Sequence, residues 1–284
     1  MRPVLLLSVV IAASLAACTP SDAPKAPKNK PSQESSSTLN QAQELVSTTS
    51  KGIMKADSVF AGPDGLHGII VSPVSDPNAG KQVVWASENL EVLLPANALD
   101  KQGNSLNEKA LIDQKVYLSG NDLGDQLKDR GFVVGKSGPI INVFMDPNCI
   151  YCNKLYKDLK KELDAGTVRA RFIMVGFLKP SSVARSVAIL SAKDPAKALH
   201  EDEMNFDERK EEGGVAPLKN TNPEIEQKVH ENTELMGKAG PIATPAILSC
   251  HSGSEQPAYT SGMPQDLPGF IASLDKDPKH EACK

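Results

Sequence analysis

Ile140-Ile141-Asn142-Val143-Phe144-Met145-Asp146-Pro147-Asn148-Cys149-Ile150-Tyr151-Cys152 is the stretch that decides how this chain folds. Its first six residues, mostly β-branched or aromatic, predict a strand; Asp146-Pro147 ends it, and a Cys-x-x-Cys follows. From Cys152 the apolar positions Leu155, Tyr156, Leu159 and Leu163 recur at helical spacing. Asp164-Ala165-Gly166 supplies the stop, with Lys157, Lys160 and Lys161 toward the negative end of the helix dipole. Strand, Cys-x-x-Cys, helix is the arrangement of a redox-active dithiol. The first cysteine sits where unpaired backbone N–H groups and the positive end of the dipole favour a thiolate. The second, one turn on, attacks the mixed disulfide and frees the partner. The same four residues also open many zinc sites. That reading needs two more ligands, for which Cys250-His251 with His280 or Cys283 are the nominees, and their spacing matches no zinc ribbon or finger.

Moving outward, Arg171-Phe172-Ile173-Met174-Val175 predicts a second strand, so strand, helix and strand make a βαβ unit with parallel strands. Residues 183–235 read as mostly helical. They include the acidic run Glu201-Asp202-Glu203, Asp207-Glu208, Glu211-Glu212, expected to be a solvated helix face. Gly240 to Leu248 then gives a strand entered through Thr244-Pro245, and residues 264–274 predict a closing helix.

Upstream, Leu39, Ala42, Leu45 and Val46 begin a short helix. Strand-like runs follow at Ile69-Ile70-Val71, Val83-Val84-Trp85 and Val92-Leu93-Leu94, separated by Gly62-Pro63-Asp64-Gly65 and Asp76-Pro77-Asn78. This is a small α+β unit without evident catalytic residues. Residues 119–136, with Leu123 and Leu127 at helical spacing and Gly131 and Gly135 at the end, read as a linker.

Arg2 precedes the apolar segment Val4 to Ile11, too short to span a bilayer, and small residues lead to Leu15-Ala16-Ala17-Cys18. Residues 1–17 read as a signal peptide whose end resembles a bacterial lipobox, with Cys18 acylated; an ordinary signal peptide cut nearby is the alternative. Lipidation converts a soluble protein into one anchored to a membrane, and Thr19 resembles the outer-membrane sorting pattern of Gram-negative lipoproteins. Residues 18–38, rich in Pro, Lys and Ser, cannot form a core and read as a flexible tether.

Of five cysteines, a lipidated Cys18 leaves four in an oxidising compartment. Cys149 and Cys152 form one pair, so parity assigns Cys250 and Cys283 to each other, a bridge contributing roughly 3–4 kcal/mol in the chain-entropy account. The alternative leaves both thiols free. The formal net charge of −4 becomes −5 once Arg2 is removed with residues 1–17, and no basic patch interleaved with aromatics suggests nucleic acid.

The motif Asp146-Pro147-Asn148-Cys149-Ile150-Tyr151-Cys152, the segment Val175-Gly176-Phe177-Leu178-Lys179-Pro180, the run Ala188-Ile189-Leu190 with Lys193-Asp194-Pro195-Ala196-Lys197, and Thr244-Pro245-Ala246-Ile247 together carry a resemblance. The chain resembles the thioredoxin superfamily and, within it, the DsbC/DsbG family of dimeric periplasmic disulfide isomerases and reductases, its DsbG members most closely. The resemblance covers roughly residues 40–275. It implies a mixed α+β and α/β chain: a cystatin-like dimerisation domain over 39–118, a helical linker over 119–136, a thioredoxin-fold domain with a helical insertion over 137–275, and a tail over 276–284. It makes Cys149 the nucleophile, Cys152 the resolving thiol and Pro245 a cis-proline facing the dithiol, with Thr244 offering polar groups to a substrate strand. It also implies a homodimer, oxidised or misfolded exported clients, a membrane electron donor of the DsbD type, and no cofactor. The chain departs from the family pattern at Ile150, where DsbG-like members resemble Cys-Pro-Tyr-Cys and DsbC-like members Cys-Gly-Tyr-Cys. With no charged residue between the cysteines, a reductase or isomerase is expected rather than a strong oxidase. A monomeric DsbA-like oxidase and a non-enzymatic lipoprotein, chaperone or metal-binding, are the competing classes.

Overall fold

The computed structural model describes residues 36–75 and 80–284. The expected signal peptide, the acylated Cys18 and nearly all of the expected tether lie outside the described residues.

The strands fall into two sheets. In the first, β1 (Met54–Ala61), β2 (His67–Pro73), β3 (Gln82–Ala86) and β4 (Leu93–Leu94) pair antiparallel in chain order. Successive strand residues face opposite sides, and both sides are covered. Val59, Ile69 and Val71 pack on Ala42 and Val46 of helix α1 (Ser36–Thr49). Phe60, Ile70, Val83 and Trp85 pack on Ala110 and Leu111 of α2 (Leu106–Asp113), a helix the sequence reading did not foresee. Helix α1 opens at Ser36, inside the stretch expected to be tether.

The second sheet holds β5 (Phe132–Val134), β6 (Ile140–Met145), β7 (Arg169–Met174), β8 (Ala246–Ser249) and β9 (Ala258–Ser261), in the order β5-β7-β6-β8-β9. Strand β6 is buried along its whole length. It pairs parallel with β7 from Ile140↔Arg169 to Met145↔Met174 and antiparallel with β8 on its other side. Helix α4 (Ile150–Ala165) joins β6 to β7, as the βαβ pattern predicted. Its Leu155, Leu159 and Leu163 pack against Ile141, Val143 and Met145. It ends at Gly166, whose φ of 75° is the left-handed cap that glycine adopts without strain. Phe144 and Ile173 face the opposite side, toward Leu235 and Met236 of α7 (Pro223–Ala239). Helices α5 (Ser182–Leu190) and α6 (Pro195–Met204) form the insertion between β7 and α7, and α8 (Leu267–Ser273) follows β9.

Three expectations need correction. Residues 119–136 are more than the expected helical linker: α3 (Gly120–Asp125) buries Leu123, the turn after it buries Leu127, both in the core beside Phe144, and residues 132–134 form β5, antiparallel to β7. A three-residue strand between glycines shows too little alternation to be seen in sequence. Residues 276–284 are not a loose tail. Ala282 and Cys283 are buried, and the Asn142 side chain on β6 donates to the Ala282 carbonyl at 2.8 Å. The acidic run is not a solvated helix face either. Helix α6 stops at Met204, and its last turn carries Asp202 and Glu203 into the interior, 0% and 1% exposed.

Candidate active site

Strand β6 delivers its end into a polar cradle. The buried Asp146 carboxylate accepts from the backbone N–H groups of Asn148 (2.9 Å), Phe177 (2.9 Å) and Leu178 (3.0 Å) and from the Ser182 hydroxyl (2.8 Å). The Asn148 side chain donates to the Ser181 and Ser182 hydroxyls at 3.1 and 3.0 Å and accepts from Gly213 N at 3.3 Å. Buried polar groups cost free energy unless paired, and this network ties the loop before the cysteines to the 176–182 segment and to the insertion. Asp146 and Asn148 were quoted in the sequence only as part of a motif; their structural task was not legible there, because all but one of their partners lie about 30 residues or more away.

Cys149 is the N-cap of α4, its Sγ accepting from Cys152 N at 3.3 Å. Both thiols are free. The Cys149 thiol is brought down to about 7, first by the hydrogen bond from the Cys152 thiol, against the opposing effect of burial, and then by Thr244 and the backbone N–H groups of Cys152 and Tyr151. In the neutral state Cys149 Sγ donates to the Thr244 carbonyl at 3.2 Å, a contact ionisation gives up. The buried Thr244 hydroxyl has no hydrogen-bond partner among the described residues, so it is a donor in reserve for the thiolate. Cys152, with no exposure, is pushed well above the usual thiol range, first by burial and then by Cys149 and the Glu203 carboxyl.

The Thr244–Pro245 peptide is cis, and Thr244 stands beside Cys149 across the mouth of an open depression of about 410 Å³. Tyr151, Leu178 and Ile242 line it at 63%, 45% and 53% exposure, and Lys179 and Glu211, paired at 3.9 Å, complete its wall on one side. A neighbouring groove of about 700 Å³ runs past Tyr151, Lys154 and Thr244 to Met263 and Pro264. Cys250, just past β8 and six residues after Thr244, is bridged to Cys283 with Cα atoms 6.1 Å apart. The bridge takes up two of the residues nominated as further zinc ligands, and among the described residues no three or more His, Cys, Asp or Glu side chains are grouped so as to hold a metal ion.

A dithiol capping the helix after the central strand, with a cis-proline loop against it, defines a thioredoxin-fold thiol-disulfide oxidoreductase. Residues 132–266 match the thioredoxin-like domain family. The chain is 31% identical over 213 residues to the thiol:disulfide interchange protein DsbG of Pseudomonas aeruginosa, covering 73% of this chain and 80% of that one. It is 31% identical over 155 residues to DsbG of Escherichia coli K12, covering 52% and 59%, and 32% identical over 111 residues to DsbC of Haemophilus influenzae, covering 39% and 43%. The chain belongs to the DsbC/DsbG family of thiol:disulfide interchange proteins, and thiol-disulfide exchange is its chemistry.

Proposed function

We propose that the chain works in the periplasm as a thiol-disulfide isomerase or reductase, keeping Cys149-Cys152 reduced so that it can reshuffle or reduce disulfides, or reduce sulfenylated cysteines, in exported proteins. The observation that carries this is the placement of Cys149 as the cap of α4, its Sγ accepting from Cys152 N at 3.3 Å beside the cis Thr244–Pro245 peptide, with the uncharged pair Ile150-Tyr151 between the two cysteines. A thiol near 7 is about half ionised at neutral pH and is a good attacking sulfur. A strong oxidant needs a far more stabilised thiolate, at about 3.5 in the extreme case, because that stabilisation is what makes its disulfide eager to be reduced.

In this reading Cys149 attacks the client sulfur and Cys152 resolves the mixed disulfide. Thr244 and Pro245 align the client strand, and the exposed side chains of Tyr151, Leu178 and Ile242 on the rim accept non-native segments. Residues 39–118 supply a two-fold dimerisation unit, cyclic two-fold dimers being the commonest symmetric oligomers. The exposure of Ile53, Val74, Val92 and Leu94 on that unit supports this. Electrons come from a membrane donor of the DsbD type, and acylation of Cys18 holds the assembly at the outer membrane. No helix among the described residues is long and apolar enough to cross a membrane.

Sedimentation of the mature chain, combined with the reduction potential of its dithiol, tests the reading. A dimer with a potential well below the roughly −120 mV of a strong oxidant is expected. A monomer poised near that value makes the chain a DsbA-like oxidase instead.

A further inference from the structure

The acidic loop after α6 reaches back to the mouth of the active site. Its base is clamped by buried groups. Asp202 Oδ1 accepts from Val215 N at 2.9 Å, the buried Arg185 guanidinium donates to the Gly213 and Val215 carbonyls, and Gly213 N donates to Asn148, the residue before the nucleophile, at 3.3 Å. A Cβ at Gly213 would collide with the Asp202 carboxylate, so the chain can pass this close only as glycine. Beyond the base the loop closes on itself. Asp207 N donates to the Glu212 carbonyl at 2.8 Å, Glu212 N donates to the Asp207 carbonyl at 3.2 Å, and Asp207 Oδ1 accepts from Arg209 N and Lys210 N.

Inside this turn Glu211 has a φ of 49°, and among the described residues from 119 onward no other non-glycine residue has a positive φ. A residue with a side chain holds that conformation at a cost and only where its surroundings impose it, commonly at functional sites. Glu211 and Lys179 are the charged residues that line the depression holding Cys149. The neighbouring carboxylates are engaged elsewhere: Asp207 pairs with Lys210 at 3.5 Å, Glu208 with Lys157 at 3.7 Å and Glu212 with Arg185 at 3.7 Å. Glu211 stands 3.9 Å from Lys179, whose ammonium already donates to the Lys210 carbonyl. Its side chain is 56% exposed against 28% for Lys179, so the charge open to a client at this wall is negative.

We propose that Glu211 is a specificity-determining residue, its carboxylate favouring client disulfides that carry a lysine or arginine close to the reacting sulfur. This deepens the exchange reading above and rests on Cys149 as the attacking sulfur. The client's cation takes the Glu211 carboxylate in place of Lys179, which keeps the Lys210 carbonyl. The Cys149 thiolate then bonds to the client sulfur, and the client S–S bond breaks with its electron pair on the departing sulfur. Resolution by Cys152 completes the transfer of two electrons from the protein dithiol to the client disulfide. A depression of about 410 Å³ keeps its facing walls within roughly 9 Å of each other. At that separation in a water-like dielectric one unit charge changes an encounter by about twofold, and attraction of a cation with repulsion of an anion together by about fivefold.

The test uses the mature reduced protein at low salt with two small disulfides of opposite charge, cystamine and dithiodipropionate. Each is supplied in excess, and oxidation of the dithiol is followed by acid quench and mass spectrometry. The readout is the cation-to-anion rate ratio of a variant against that of the wild type, in which the unequal acidities of the probe thiols, and any change in Cys149 itself, cancel. Glu211→Gln is expected to lower the ratio about fivefold. Glu211→Gly suits the positive φ and should lower it as much while raising the urea midpoint, which separates the charge from the strain. Glu208→Gln, a charge of the same loop that does not line the depression, should leave the ratio unchanged. A wild-type ratio in both Glu211 variants overturns the proposal and leaves the exchange reading standing, as does an equal fall in Glu208→Gln. No reaction of the wild type with either probe overturns Cys149 as nucleophile and the proposal with it.

Discussion

The molecule holds two cysteine pairs of opposite character. Cys149 and Cys152 are three residues apart at the start of a helix and reduced; the hydrogen bond from Cys152 brings the first thiol down, and burial above all pushes the second up. Cys250 and Cys283 are 33 residues apart, bridged, and joined to the sheet through the end of β8 and the buried C-terminal turn. A cysteine pair is reactive when one sulfur is stabilised as an anion and can be reached, and structural when both sulfurs are enclosed with their charges removed.

The sharpest way to break this comparison is Cys149→Ala, for which exchange with any disulfide should fall to the uncatalysed rate while the fold is retained. Residual turnover by Cys152 alone would show that the two thiols are not differentiated. Next comes the double change Cys250→Ser with Cys283→Ser. In urea titrations it should cost about 3–4 kcal/mol, with exchange by the folded fraction intact; a loss of exchange without loss of stability would give the bridge a redox role. Alkylation is the third measure. Cys149 should react with a midpoint near pH 7 and Cys152 only well above the free-thiol value of about 8.5.

The same depression fixes a sign for stability. An acid whose folded value lies below its unfolded one stabilises the fold above the unfolded value and loses that contribution as pH falls through the folded one. The reduced protein should therefore gain stability relative to Cys149→Ser between about pH 7 and 8.5, as urea midpoints across that window would record. The smallest effect is expected from Ser182→Ala. It removes the hydroxyl that donates to Asp146 and accepts from Lys179 N and from Asn148. A loss of about 1–3 kcal/mol is expected in the same titrations, with a shift in the Cys149 midpoint; stability unchanged within error would mean that the cradle is not what holds the loop.

The dithiol was legible in the sequence because its determinants are local: an apolar strand, a stop at Asp146-Pro147, a capping cysteine and apolar residues at helical spacing. The cis-proline loop was legible only through the family resemblance of Thr244-Pro245. What escaped was set by distant partners. Asp202 and Glu203 belong to a charge run of solvated appearance, and only the packing of α6 on α4 and α5 turns them inward. Strand β5 is too short to show a period, and the turn at Cys283 is buried by a bridge and by Asn142, a polar residue in a strand that otherwise reads as core.

Strand β6 also has a mechanical consequence. A client caught on Cys149 is tethered to the first turn of α4, one short loop beyond the end of β6. Any pull from that client toward solvent reaches a strand that is hydrogen-bonded along six residue pairs to β7 and three to β8. Load applied along such a strand is shared by all of those rungs at once, instead of opening them one by one as at the end of a hairpin. A pull on Cys149 along the strand therefore loads both flanking ladders of β6 in parallel.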